Sequence, residues 1–312
     1  MRLTETMPTV QNPSAVQHRD LAAEASLPQL THAQAPLTQE VAVLNEFGLS
    51  SLVSIPAERD LTVYVDKREL VTLMTLGAHP EWLVLGYLLN QRLIASVAEI
   101  ESITVDWDVG AASVKTRHGI DRIEERTSKR VVTTGCGQGS VFGNLMDEVD
   151  SIQLPAEAVL RQSQLYGILN AIRLKESTYK SAGSVHACAL FRGDALQLFV
   201  EDVGRHNAVD TIAGWMALQQ RPAAERVEHV FYTTGRLTSE MVIKSAQMGV
   251  AVVVSRSGIT QMGLDVAQRV GLCAVGRATN KRFLCYAHAQ RLLLDAVPPA
   301  SPAAAAMDHT AA

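Results

Sequence analysis

The chain has 312 residues, of which 47% are hydrophobic and 5% aromatic, and its formal net charge is −4 with a pI near 6.1. Such a chain can bury one large core or two smaller ones packed together, so disorder throughout is excluded. The acidic balance gives no broad cationic surface for nucleic acid, and no apolar run approaches the ~20 residues that span a bilayer, so neither nucleic acid nor membrane is expected as a partner.

Residues 1–38 carry scattered Pro, Gln, Thr and Ala without a sustained apolar period and read as a disordered leader. The opening MRLTETMPTV lacks the basic and apolar segments of an export signal, and the protein is expected to be cytoplasmic. Residues 39–150 form a smaller α+β subdomain. It contains the strand-like stretches SLVSI, LTVYV and LVTLM and then a helix opened by Pro80 in HPEWLVLGYLLNQRLI, where apolar positions recur at helical spacing. A charged stretch, KTRHGIDRIEERTSKR, precedes the glycine-framed loop TTGCGQGSVF.

From Pro155 the pattern changes. A helix, PAEAVLRQSQLYGILNAI, leads to the strands VHACALF and ALQLFVED and to a helix beginning near Asn207. Next come the strand HVFYTT, a helix from Thr238, the strand VAVVVS, a helix from Thr260, and the strands LCAVG and RFLCYA. VAVVVS is apolar on both faces, as a strand covered by helices on two sides must be, so residues 151–295 are expected to form a three-layer α/β domain. Residues 296–312 are low-complexity Ala and Pro and read as a disordered tail.

Open α/β sheets bind ligands beyond the carboxyl ends of their strands, where glycines and helix N-termini face the ligand. YTTGRLTSEM places Arg236 at one such junction and VVSRSGITQM places Arg256 at another, while GRATNKRF brings Arg277, Lys281 and Arg282 to the turn between the last two strands. If these turns converge they gather five cations in an otherwise acidic protein, which suits a ligand carrying several phosphates. EDVGRHNAVD is dense in polar groups, and its Asp202 and His206 fit either an acid–base pair or a hydrogen-bonded structural network.

Four cysteines occur, Cys136, Cys188, Cys273 and Cys285, without the paired spacing of a disulfide framework. The ligand pairs that announce a zinc site are missing apart from His186-x-Cys188, and the nucleobase deaminase pattern H-x-E with P-C-x-x-C is absent, so no metal is expected.

In this order, GCG at 135–137, VHACAL, EDVGRHNAVD, TTGRLTSEMVIKSAQMGVAVVVSRSGIT and VGRATNKRFLCYAHAQRL resemble the FdhD family of formate dehydrogenase accessory sulfurtransferases. The resemblance implies a cytidine-deaminase-like α/β domain with a smaller N-terminal subdomain, assembled as a homodimer. It implies a sulfur carrier that accepts persulfide sulfur from a cysteine desulfurase and delivers it to the molybdenum bis(molybdopterin guanine dinucleotide) cofactor, a bound client destined for formate dehydrogenase. The family's persulfide cysteine falls on Cys136, and its cofactor-binding stretch falls on Arg277, Ala278, Thr279, Asn280, Lys281 and Arg282. Many members carry C-x-x-C in the loop, whereas this chain has Gly139 at the second position. The sulfur would then leave by direct attack from its acceptor. The alternative is a member that binds the cofactor for insertion without sulfurating it.

Overall fold

The computed structural model describes residues 27–121, 123–124, 131–132, 139–140 and 149–296. Its first sheet is built from β1 (Gln29–Leu30), β4 (Arg59–Val65), β5 (Arg68–Thr75), β6 (Ile100–Asp106) and β7 (Ala111–Thr116), in the order β1-β6-β7-β4-β5. A hairpin of β2 (Thr38–Leu44) and β3 (Ser50–Pro56) stands apart as a two-stranded pair.

Residues 29–33, expected to belong to a disordered leader, instead begin the fold. Glu81 is 3% exposed and needs donors, which this segment supplies: Thr31 Oγ1 donates to Glu81 Oε1 at 2.8 Å and the Ala33 N–H at 2.7 Å. The Val105 N–H donates in turn to Thr31 Oγ1, which ties the segment to β6.

Helix α1 (Pro80–Asn90) starts at the predicted proline and is apolar on every side. It needs to be, because one face covers the first sheet through Leu83, Val84 and Leu88 while another meets a helix of the larger domain. Two further short strands, β8 (Val131–Val132) and β9 (Gly139–Ser140), pair antiparallel.

After Pro155 the chain runs through a turn and β10 (Leu160–Arg161) before α2 (Gln162–Leu174), so the helix expected from Pro155 begins seven residues later. The preceding residues are drawn into a parallel pair with β17 (Leu292–Leu293), and Arg291 holds the turn by donating to the Pro155 and Ala158 carbonyls. The short α3 (Thr178–Ala182) precedes β11 (His186–Arg192) and β12 (Ala195–Asp202). There follow α4 (Arg205–Leu218), β13 (His229–Thr233), α5 (Ser239–Gln247), β14 (Val252–Ser255), α6 (Gln261–Val270), β15 (Cys273–Thr279) and β16 (Arg282–Ala287).

These strands form a six-stranded sheet ordered β12-β11-β13-β14-β15-β16, in which β13, β14 and β15 are parallel neighbours. Its faces divide by residue parity. Phe231, Val253 and Ala274 pack with α4, α5 and α6 on one side, while Val230, Tyr232, Val252 and Val254 pack with Leu165 and Ile168 of α2 on the other. Every residue of β13 and β14 is buried, which explains the apolar runs of residues 230–232 and 252–254 within them.

The two parts meet at α1 and α4. Cβ atoms at Gly86 and Gly214 would strike the Asp210 and Trp82 carbonyl oxygens, so only glycine lets the helix backbones come this close. Beside this contact Asn90 Nδ2 donates to Asp210 Oδ1 at 2.6 Å and Lys244 Nζ to Asp210 Oδ2 at 2.7 Å, with Asp210 and Lys244 both buried. Among the described residues no helix is long and apolar enough to cross a membrane.

Candidate functional site

The parallel strands β13, β14 and β15 end on one edge, and the turns that leave them are stitched together. The Arg256 N–H donates to Thr233 O at 3.0 Å, the Arg277 N–H to Ser257 O at 2.7 Å and Ser255 Oγ to Gly235 O at 2.7 Å. Gly276 permits the last turn to close, since a Cβ there would lie 2.8 Å from the Tyr286 ring and 2.9 Å from Ser257 O. The β15–β16 turn is irregular, with Arg277 at φ +50° and Asn280 at φ +53°, so two side chains occupy the left-handed region that favours glycine.

A cavity of about 300 Å³ opens beside these turns. Arg256, Ala278, Thr279 and Asn280 line it from the strand ends, and Arg173 and Lys180 bring further positive charge from the opposite wall. Tyr179 and Phe199 supply aromatic surface. Glu201 is the carboxylate of the lining, and it is engaged by the Thr178 and Tyr179 N–H groups at 2.6 and 3.1 Å, where it seats the start of α3.

The turns therefore converge, while the cations expected from them spread out. Arg256 reaches the cavity; Lys281 lies over the Tyr166 ring at 5.9 Å, and Arg277 and Arg282 are exposed outside the lining. Arg236 is exposed and outside the lining, and its charge acts on His186. Arg173, Lys180 and Tyr179 were not singled out from the sequence. The run RLKESTYK signals local basic character, but it takes the return of β11 and β12 to bring that run opposite the strand ends.

Of the two readings of EDVGRHNAVD, the structural network accounts for Asp202. Its carboxylate accepts from Thr75 Oγ1 at 2.5 Å, the Leu76 N–H at 3.1 Å, the Gly204 N–H at 3.0 Å and Asn207 Nδ2 at 2.8 Å. It thereby joins the two sheets, and burial raises its pKa despite these donors. His206 faces a different carboxylate, with Nε2 3.0 Å from Glu240 Oε2. Burial lowers the His206 pKa, and burial followed by the charge of Arg205 lowers that of His186.

Cys188 is buried, with its thiol 3.4 Å from Thr233 Oγ1, and burial pushes its pKa to about 12. It is a packing residue and holds no thiolate at neutral pH. Among the described residues no group of three or more His, Cys, Asp or Glu side chains could hold a metal ion. Cys136 lies in the sequence between β8 and β9 and outside the described residues.

The parallel strand ends, glycine-dependent turns and partly cationic cavity define an α/β protein with a ligand crevice at its sheet edge. Residues 56–293 match the family model FdhD/NarQ, and the chain belongs to that family. It is similar to the sulfur carrier protein FdhD of Bacillus pumilus, with 31% identity over 75% of this chain and 88% of that protein. The sulfur carrier protein FdhD of Bacillus subtilis is 30% identical over the same shares. A crystal structure from Desulfotalea psychrophila, described as a formate dehydrogenase accessory protein, superposes with a TM-score of 0.66 at 26% identity, covering 83% of this chain and all of that one.

Proposed function

We propose that this chain is a sulfur carrier required for formate dehydrogenase activity, with Cys136 as the atom-transfer residue and the molybdenum bis(molybdopterin guanine dinucleotide) cofactor as its client. The cavity at the strand ends carries this reading. It offers Arg256 and the Thr279–Asn280 turn to phosphate oxygens, and Tyr179 and Phe199 to a base, at a volume suited to one nucleotide arm of the client.

In the loading step the Cys136 thiolate attacks the outer sulfur of a desulfurase persulfide. One S–S bond forms, one breaks, and the desulfurase thiolate leaves, so no external oxidant is needed. Because Gly139 replaces a second thiol, the sulfur then departs when the acceptor attacks it, which restores the Cys136 thiolate. The reading includes a cytidine-deaminase-like layering of the larger domain, a cytoplasmic homodimer, and a cysteine desulfurase and formate dehydrogenase as partners.

The test has two arms. Protein incubated with a desulfurase and isotope-labelled cysteine is expected to carry label on Cys136, and label that persists in Cys136→Ala ends the sulfur route. Guanosine diphosphate is expected to bind the full chain, with Arg256→Ala weakening it roughly ten-fold, as loss of a charge-assisted hydrogen bond implies. Full maturation of formate dehydrogenase by Cys136→Ala, with nucleotide binding intact, would select the non-sulfurating insertion chaperone instead.

A further inference from the structure

The start of α4 and the start of α5 lie together beside the cavity, but outside its lining. Arg205 opens α4, and its side chain runs against Gly235, where a Cβ would lie 2.9 Å from Arg205 Cδ. The next helix is in reach as well, through the contact of His206 with Glu240.

Arg205 is only 8% exposed, and its Nε is buried without a hydrogen-bond partner. Two nearby carboxylates are engaged elsewhere, Asp202 by its four donors and Asp210 by Asn90 and Lys244, while Glu240, in the first turn of α5, lies 3.0 Å from His206 Nε2. An Nε in this position has lost hydration without gaining an acceptor, an arrangement that costs stability. The charge of Arg205 is felt at His186, Cys188 and His206, so the group lies near the strand-end edge where His186 stands.

The surroundings favour an anion as the missing partner. No side chain caps α4 or α5, and Thr238 Oγ1, at the N-cap of α5, is buried and unpartnered. The uncapped start of α5 adds N–H groups and positive dipole near Arg205. Exposed Arg236 adds a second guanidinium at the rim.

We propose that Arg205, Arg236 and the first turn of α5 form an oxyanion subsite for a phosphate group, placed next to the Arg256 cavity. Thr234 and Ala187 line that cavity and are close in the chain to Arg236 and His186, so the subsite adjoins the cavity and one extended ligand would touch both. The subsite stands on these groups themselves; only its assignment to a second phosphate of the nucleotide client rests on the function proposed above.

Tungstate, a phosphate analogue located by its anomalous signal, is soaked into crystals of the full chain, and inorganic phosphate is titrated by calorimetry. A tungstate peak is expected within hydrogen-bond reach of the Arg205 guanidinium, and Arg205→Gln is expected to weaken phosphate at least ten-fold. Phosphate should raise the melting temperature of the wild type but not of the variant, whose own midpoint should equal or exceed that of the ligand-free wild type. No peak at Arg205, or unchanged phosphate affinity in a variant with a lowered midpoint, overturns the proposal and makes Arg205 a structural residue.

Should Arg205→Gln fail to fold, exposed Arg236→Ala serves in its place, with an expected loss of about five-fold in phosphate affinity; unchanged affinity overturns the subsite. Guanosine diphosphate that displaces tungstate assigns the subsite to the nucleotide client, whereas simultaneous binding assigns it to a free phosphate; either keeps the subsite. Tungstate bound at Arg205 in a protein that ignores guanosine diphosphate overturns the functional reading of the cavity alone.

Discussion

Cys188 and Cys285 are thiols of the same sheet with opposite chemistry. Burial holds Cys188 protonated, while Cys285 is half-buried, and its contact with Cys273 at 3.9 Å lowers its pKa to about 7. Iodoacetamide at pH 8 is therefore expected to alkylate Cys285 in the native protein and Cys188 only after unfolding, as peptide mass mapping would read; early labelling of Cys188 would refute its packing role. The sequence shows the four cysteines without paired spacing, and the approach of Cys273 to Cys285 was not legible in it. Those residues stand 12 apart, and only the bulged β15–β16 register brings them side by side. Titration makes a second prediction. Burial lowers the pKa of His79, His186, His206 and His229, so below about pH 6.5 the unfolded chain takes up protons that the fold refuses. Stability is expected to fall as pH drops from 7 to 5, with the raised Asp202 pKa opposing the trend, since the fold binds that proton before the unfolded chain does. A melting temperature that rises over this interval would contradict the histidine assignment.

At the scale of elements, α1 and α4 depend on two glycines and one ion pair. Gly86→Ala would drive a methyl group into the Asp210 carbonyl, backbone against backbone, where no side chain can yield. A loss of about 3 kcal/mol or more in urea unfolding is expected, at or above the upper end of ordinary overpacking. Asp210→Ala strands buried Lys244 and is expected to cost about 3–5 kcal/mol, and the double variant with Lys244→Met should recover part of it. Additive losses would show that the pair is not coupled. Pro80 made α1 legible because proline is pre-set for a helix start, whereas Pro155 suggested a helix that is absent there. The difference lies in a partner more than 130 residues away: β17 captures Leu160 and Arg161 in parallel pairing, and no local pattern announces it. The start of α4 at Arg205, two positions before Asn207, likewise follows from the Asp202 network.

For the whole molecule, alternation of strand and helix after Pro155 made the larger sheet legible, and the motif order carried the family. The smaller sheet was less so, because β6 and β7 are half-exposed strands of mixed character and β1 joins them from a polar leader. The β2–β3 hairpin presents Leu44 at 69%, Phe47 at 76% and Leu52 at 68% exposure, an apolar surface that contributes little to the core. Phe47→Ser is accordingly expected to change stability by no more than about 0.5 kcal/mol in chemical denaturation. A larger loss would mean that the ring is packed in solution. The glycine-to-glycine crossing of α1 over α4 has a mechanical consequence. Where two helices touch through their peptide groups there is no cushion of side chains to slide or re-sort, so the seam resists displacement of one helix along the other. Access to the cavity then falls to the strand-end turns, while the body behind them serves as a fixed anvil.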